Sequence, residues 1–225
     1  MLSVQITIPY RLADALRVFE LTSFAIEELG FTAGQFRSGA KPKLLDGRDH
    51  FGFSGSVFSD YSYSPIGNHD VGIVFLKGTI QISHASAIVD ALVDDLDVIQ
   101  AHIHDGSYYH WQNAFDLLQF SAANRSIDGL KLIDNGLPPP LNQMVVDTSS
   151  NPGRRFLRRG FQEAVSSPMW LSKGIDGVSV DVEALNDSGF STSDRGSHVV
   201  ITDSEQPYSE KSNAEQELLR RLVFE

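Results

Sequence analysis

Residues 137–143 read LPPPLNQ, and those three consecutive prolines constrain the fold more than any other feature. Each fixes its own φ and removes a backbone donor, so neither a helix nor a central strand can run through them. The spacing predicts a break there between an α+β N-terminal part, 1–136, and an α+β C-terminal part, 137–225, packed as one globular unit. A chain of 225 residues, 41% hydrophobic and 21% charged, has the size and composition to bury a core.

On the N-terminal side of the break, SVQITIP (3–9) alternates polar and apolar residues and reads as a strand. Leu12, Leu16, Phe19 and Ile26 then recur at helical spacing over roughly 11–29, with Gly30 as the stop. FGFSGSVFSD (51–60) reads as a strand, SYSPIGNHD (62–70) as a turn or exposed loop, and VGIVFLKGTIQIS (71–83) as a hairpin about Lys77-Gly78. A second helix is expected over 84–97 behind Ser83, and a strand over VIQAHIH (98–104). WQNAFDLLQF has the pattern of a short helix.

Beyond the break, QMVVD (143–147), GVSVDVEAL (177–185) and HVVITD (198–203) read as strands, and RRFLRRGFQEAV as a helix. Ser212-Asn213-Ala214-Glu215 fits a capping box, with Ala214, Leu218 and Leu222 as the apolar face of a last helix. Helices and strands mix without βαβ alternation. The expected class is α+β, a mixed or mainly antiparallel sheet with a few amphipathic helices packed on one face.

Chemistry concentrates in HIHDGSYYHWQN (102–113). His102-x-His104 on a strand sends both imidazoles to one face, as a divalent metal requires. A metal-dependent hydrolase would use this pair with a carboxylate such as Asp105 or Asp147, but only His198 follows His110 as a further histidine. A surface-facing or half-buried histidine pair beside aromatic residues is the plainer reading. No cysteine is present, which excludes disulfides and thiolate metal sites. GFSGS (52–56) ends in serine where a nucleophile elbow has glycine, and no phosphate-binding glycine loop occurs. No cofactor is implied. Arg154, Arg155, Arg158 and Arg159 form a basic cluster best explained by internal pairing with carboxylates.

Composition then points to binding. The formal net charge of −11 repels nucleic acid and anionic membranes and attracts a basic protein. Asp90, Asp94 and Asp97 recur at helical steps beside two segments rich in Tyr, Ser, Gly and Asn, SDYSYS and GSYYHW. Such mixtures build protein-binding surfaces. The expected contact set is Asp90, Asp94, Asp97, Asp60, Tyr61, Tyr63, Asp105, Tyr108, Tyr109 and His110.

In its acidic balance, its aspartate stripe and these tyrosine-rich segments, the chain resembles the small immunity proteins that bacteria encode beside contact-delivered toxins. That resemblance implies a non-catalytic α+β inhibitor that occludes the active site of a basic toxin or effector domain. The rival readings are the hydrolase and a self-associating phage or secretion-system subunit, for which an unpaired strand edge would permit a homodimer. MLSVQITIPYR lacks the basic start and long apolar run of a secretory signal, and no apolar stretch approaches the ~20 residues of a membrane span. The expected location is the cytoplasm.

Overall fold

The computed structural model describes residues 1–10, 15–31, 50–51, 58–93 and 95–225. Its strands are β1 (Leu2–Pro9), β2 (His50–Phe51), β3 (Phe58–Ile66), β4 (Val71–Gly78), β5 (Gln100–Asp105), β6 (Leu132–Asp134), β7 (Met144–Val146), β8 (Phe156–Arg158), β9 (Phe161–Glu163), β10 (Met169–Ser172), β11 (Ser191–Arg195) and β12 (His198–Thr202). Its helices are α1 (Ala15–Glu28), α2 (Ile82–Leu92), α3 (Gly106–Asn113), α4 (Leu117–Ala122), α5 (Val182–Asp187) and α6 (Asn213–Phe224). Eight strands form one sheet in the order β11-β12-β10-β5-β1-β4-β3-β2, and every pairing in it is antiparallel. The class is α+β with an antiparallel sheet.

The alternation in SVQITIP determines what each face of that sheet holds. Val4, Ile6 and Ile8 point one way, in register with Leu76 and Val74 on β4 and with Ile103 and Ala101 on β5. They join Val18, Ala25 and Ile26 of α1 and Ile88, Val89 and Leu92 of α2 in one apolar core, which Trp170 and Val200 extend. Here the amphipathic pair α1 and α2 lies on one face, as the periodicity requires.

The opposite face is also covered. Beneath β10 and β12, Met169, Leu171, Val199 and Ile201 pack against Leu185, Leu219 and Val223 of α5 and α6. Beneath β1 and β5 the same face is polar: Ser3, Gln5, Thr7, Gln100, His102 and His104 are all buried.

Several segments differ from the sequence expectation. SYSPI belongs to β3, and β4 is one strand rather than a hairpin; the turn lies at Gly67–His69 instead. Residues 52–57 of the first aromatic stretch lie outside the described residues. Helix α2 runs from Ile82 to Leu92 with no side-chain cap from its N-cap residue. It stops short of Asp95 and Asp97, and carboxylates crowding its negative end account for that. Asp97 itself turns the chain at φ 47°.

RRFLRRGFQE forms the β8–β9 hairpin, turning at Gly160 (φ +85°), which suits a residue without a Cβ. Asp181 caps α5 by accepting from the Ala184 amide at 3.0 Å, so VEALND is helical where β-branched neighbours suggested a strand. Reciprocal capping occurs between Ser209 and Ser212, one turn before the expected box, and α6 buries Gln216, Leu219, Arg220 and Val223. The tri-proline run sits between β6 and β7 at a hairpin tip. Sheet strands come from both sides of it, since β5 pairs with β10.

Candidate functional site

Strand β5 places both imidazoles of His102-x-His104 on the second face, as the period-two pattern requires, but neither reaches the surface. The rings stack at 5.7 Å, and the Tyr109 ring stacks on His104 at 3.8 Å. His102 Nδ1 lies 3.4 Å from the Ser166 hydroxyl. Around them sit Gln5, Gln100 and Gln162; the Gln162 amide N–H donates to the Gln100 side chain at 2.7 Å. Among the described residues, both histidine Nε2 atoms, Gln5 Nε2, Gln100 Nε2 and Arg220 Nε have no protein partner.

Burial, and secondarily the Arg220 guanidinium, lowers the His102 pKa to about 3. Burial, then His102 and Arg155, holds His104 well below the ordinary imidazole range. Both rings are neutral at pH 7. Two guanidinium groups near this layer disfavour a cation, and among the described residues no group of three or more His, Asp or Glu side chains is arranged to hold a metal. Asp147, the other suggested ligand, is bound to Lys131 Nζ at 2.7 Å.

The expected contact residues separate. Tyr109 is buried inside the fold, a correction to its placement on the binding surface. Its helix forms because Asp105 is a true N-cap, accepting from the Tyr108 amide at 2.7 Å. Tyr108 is half-buried and accepts from Gln216 Nε2 at 2.8 Å. His110 stays exposed, edge-on to Trp111.

Asp90 is exposed on α2 but engaged with its own fold: the Trp170 indole N–H donates to it at 2.8 Å, and Arg195 lies at 4.0 Å. Asp97 is exposed but beyond the helix, so the aspartates do not form one helical stripe; Asp94 lies outside the described residues. Asp60, Tyr61 and Tyr63 are on β3, in register with Lys77, Leu76 and Val74, and not on a loop. Of the arginine cluster, Arg154 pairs with Glu217, Arg158 with Glu163 and Arg159 with Asp70, while Arg155 lies over the Tyr109 ring. That agrees with internal neutralisation.

These placements give a prediction. Asp90→Ala leaves the buried indole N–H of Trp170 without an acceptor and should lower unfolding free energy by about 1.5–2 kcal/mol. Asp97→Asn, at an exposed turn, should stay within about 0.5 kcal/mol of the parent. Urea titration of both variants tests this contrast.

What remains accessible is a cleft of about 660 Å³ whose lining includes Tyr108, Trp111, Arg125, Leu130, Asp147 and Lys211. Trp111 carries Arg125 over its face at 4.4 Å and contacts Phe120. From this wall runs an arm, residues 115–146, made of α4 and then the β6–β7 hairpin and anchored to Trp111 through the buried Phe120 and Val146. Of thirteen exposed large hydrophobic side chains among the described residues, eight belong to it: Phe115, Leu118, Ile127, Leu130, Ile133, Leu137, Leu141 and Met144. Sequence reasoning missed this surface. The available signal was a run of leucines and isoleucines around prolines with no helical or strand period long enough to bury them.

An antiparallel α+β sheet covered on both faces, with an apolar arm beside an aromatic cleft, defines the class of protein. No protein-family model matches the chain, and no curated protein matches it. Among solved structures its fold is similar to that of the Pseudomonas aeruginosa T6SS protein PA0821, with a TM-score of 0.51 and 13% identity, aligning 99% of this chain and 75% of that one. Among the described residues no helix is long and apolar enough to cross a membrane.

Proposed function

We propose that the chain is a T6SS-associated immunity protein: a non-catalytic binder that silences a toxin by covering its active site. The observation that carries this is the concentration of eight exposed apolar side chains on one arm. Scattered surface hydrophobics are ordinary, whereas their concentration in one segment of about 30 residues points to a surface that another molecule covers. Trp111 and Tyr108 at the neighbouring cleft supply the aromatic anchors typical of binding hot spots. The likeness in fold to a T6SS protein supports the setting. The net charge of −11 suits a basic partner, with charge setting encounter rate and the arm setting affinity. On this reading the contact surface is the Trp111 wall and the arm rather than the acidic stripe.

Deletion of the gene in a host that carries a T6SS tests the reading. The deletion strain is expected to be killed in contact with its parent, to recover with a plasmid copy, and to survive when the parent's secretion is inactivated. If the deletion instead abolishes secretion by the strain itself and leaves it resistant, the chain is a structural subunit and the immunity reading fails.

A further inference from the structure

The tip of the arm has a construction of its own. Residues 135–143, NGLPPPLNQ, contain no charged side chain, in a chain of which 21% is charged. Leu137 and Leu141 stand 50% and 65% exposed, one on either side of the three prolines, with Ile133 and Met144 exposed on the strands below.

The loop is also fixed internally. Asn135 Oδ1 accepts from the amides of Leu137 at 3.1 Å and Gln143 at 3.2 Å, and its Nδ2 donates to the Leu141 carbonyl at 3.0 Å. The Leu141 amide closes a turn onto the Pro138 carbonyl at 2.9 Å, and the Gly136 amide donates to Asp134 at 2.7 Å. With three φ angles set by proline rings, little conformational freedom is left to lose on binding. Preorganisation of that kind raises affinity by lowering the ordering cost. Water solvates two rigidly presented leucines poorly, and nothing in the fold covers them.

We infer that the β6–β7 tip is an insertion loop, which places Leu137 and Leu141 in an uncharged apolar cleft on a separate protein. Charge argues for that occupant. Residues 135–143 carry no ionic group, and the nearest carboxylate, Asp134, is engaged by the Gly136 amide at the base. They gain nothing from a basic or acidic pocket and would leave a buried charge there unpaired. Two exposed leucines at a hairpin tip need a partner that can surround them. The inference rests on the proposed function for the existence of a partner, and it adds the chemistry of the contact.

The test uses the full chain in its host, carrying the photocrosslinker benzoylphenylalanine in place of Leu141, of Leu118 on the arm, or of the exposed Ser188 as control. Position 141 is expected to give one adduct with a different polypeptide, attached within a cluster of apolar residues, and to persist in about 0.5 M salt, where surface charge is screened. The double substitution L137S/L141S should then weaken binding of that polypeptide by about 100-fold or more, from two leucines no longer buried. Thermal melting should match the parent, because neither leucine contributes to the core. An adduct at 118 with none above control at 141 overturns the insertion loop and leaves the proposed function standing. No adduct at either position overturns both. Joining of position 141 to a second copy of the chain, or to lipid, also overturns the inference.

Discussion

Lowering the pH from 7.5 to 5 should destabilise this protein sharply, well before its surface carboxylates begin to protonate. The cause is the histidine stack beneath β1 and β5. A base whose folded pKa lies below its unfolded value contributes stability that is fully present above the unfolded pKa. That stability is lost as pH falls toward the folded value, because only the unfolded chain takes up the proton. For His102 the window runs from 6.5 down to about 3. One pKa unit is about 1.4 kcal/mol, so His102 alone removes about 2 kcal/mol by pH 5 and about 5 kcal/mol at the lower limit. His104 acts in the same direction. The groups facing the pair are Tyr109 from α3, Arg155 ahead of β8 and Arg220 from α6, and both guanidinium groups oppose protonation. Asp147 and Asp194 are held below the ordinary carboxylate range, chiefly by hydrogen bonds from Lys131 and Lys173, and so do not drive the loss between pH 7.5 and 5. Asp203, raised by burial and by Glu215, has the opposite sign and softens the trend. Urea unfolding at half-unit steps should show the midpoint falling at constant slope, and H102Q should flatten the curve. A midpoint constant from pH 7.5 to 5 would disprove the account.

The same stack illustrates what could be read from sequence. His-x-His on a strand fixes both rings on one face, and that part of the geometry was legible. Which face, and what covered it, was not. Ser3, Gln5 and Thr7 look like the solvent side of an amphipathic strand, yet all three are buried. The cover comes from Tyr109, five positions past His104 but on the next element, and from Gln162 and Arg220, which lie 58 and 116 positions past it and share no local pattern with these strands. Long helices such as α1 and the apolar half of the sheet were legible because burial imposes its period on them. Short elements were not: β10 spans four residues and α5 six, too few for periodicity to register.

For the candidate site the lesson runs the other way. The tri-proline run is incompatible with helix or central strand, as its residues require, and it sits at a hairpin tip while strands from both sides of it share one sheet. Proline rigidity satisfies a hairpin tip as well as a linker, and only the pairing of Leu132 with Val146 across it distinguishes the two. The aspartate stripe failed because carboxylate spacing was counted past the point where the helix could continue. Tyr108 of the expected contact set lines the cleft together with Trp111, which that set left out, while Tyr109 of the same helix is buried.

The second large effect should come from Arg220. Its side chain is fully buried, donating to Glu163 at 2.9 Å and to the Arg154 carbonyl at 2.6 Å, with the Pro152 carbonyl at 3.5 Å. One guanidinium therefore ties α6 to the β8–β9 hairpin and to the chain leading into it, the elements that roof the polar layer. Removing one partner of a buried ion pair typically costs about 3–5 kcal/mol, because the other charge is left desolvated. Glu163 keeps Arg158 at 2.6 Å, which places Arg220→Met near the lower end, about 3 kcal/mol. Arg220→Lys should recover little, since a single ammonium cannot reproduce the planar fork that reaches carboxylate and carbonyl together. The double variant R220M/E163M should be less destabilised than the sum of its single changes, because it removes the orphaned charge along with its partner. Urea unfolding of the four chains gives the cycle. Amide exchange should show the β8–β9 hairpin opening before the β1–β4–β5 core in R220M, since that hairpin is held to α6 through this contact. A loss below about 1 kcal/mol in R220M, or exchange that stays uniform across the sheet, would mean that the roof is held by its apolar contacts alone and that Arg220 is only accommodated there.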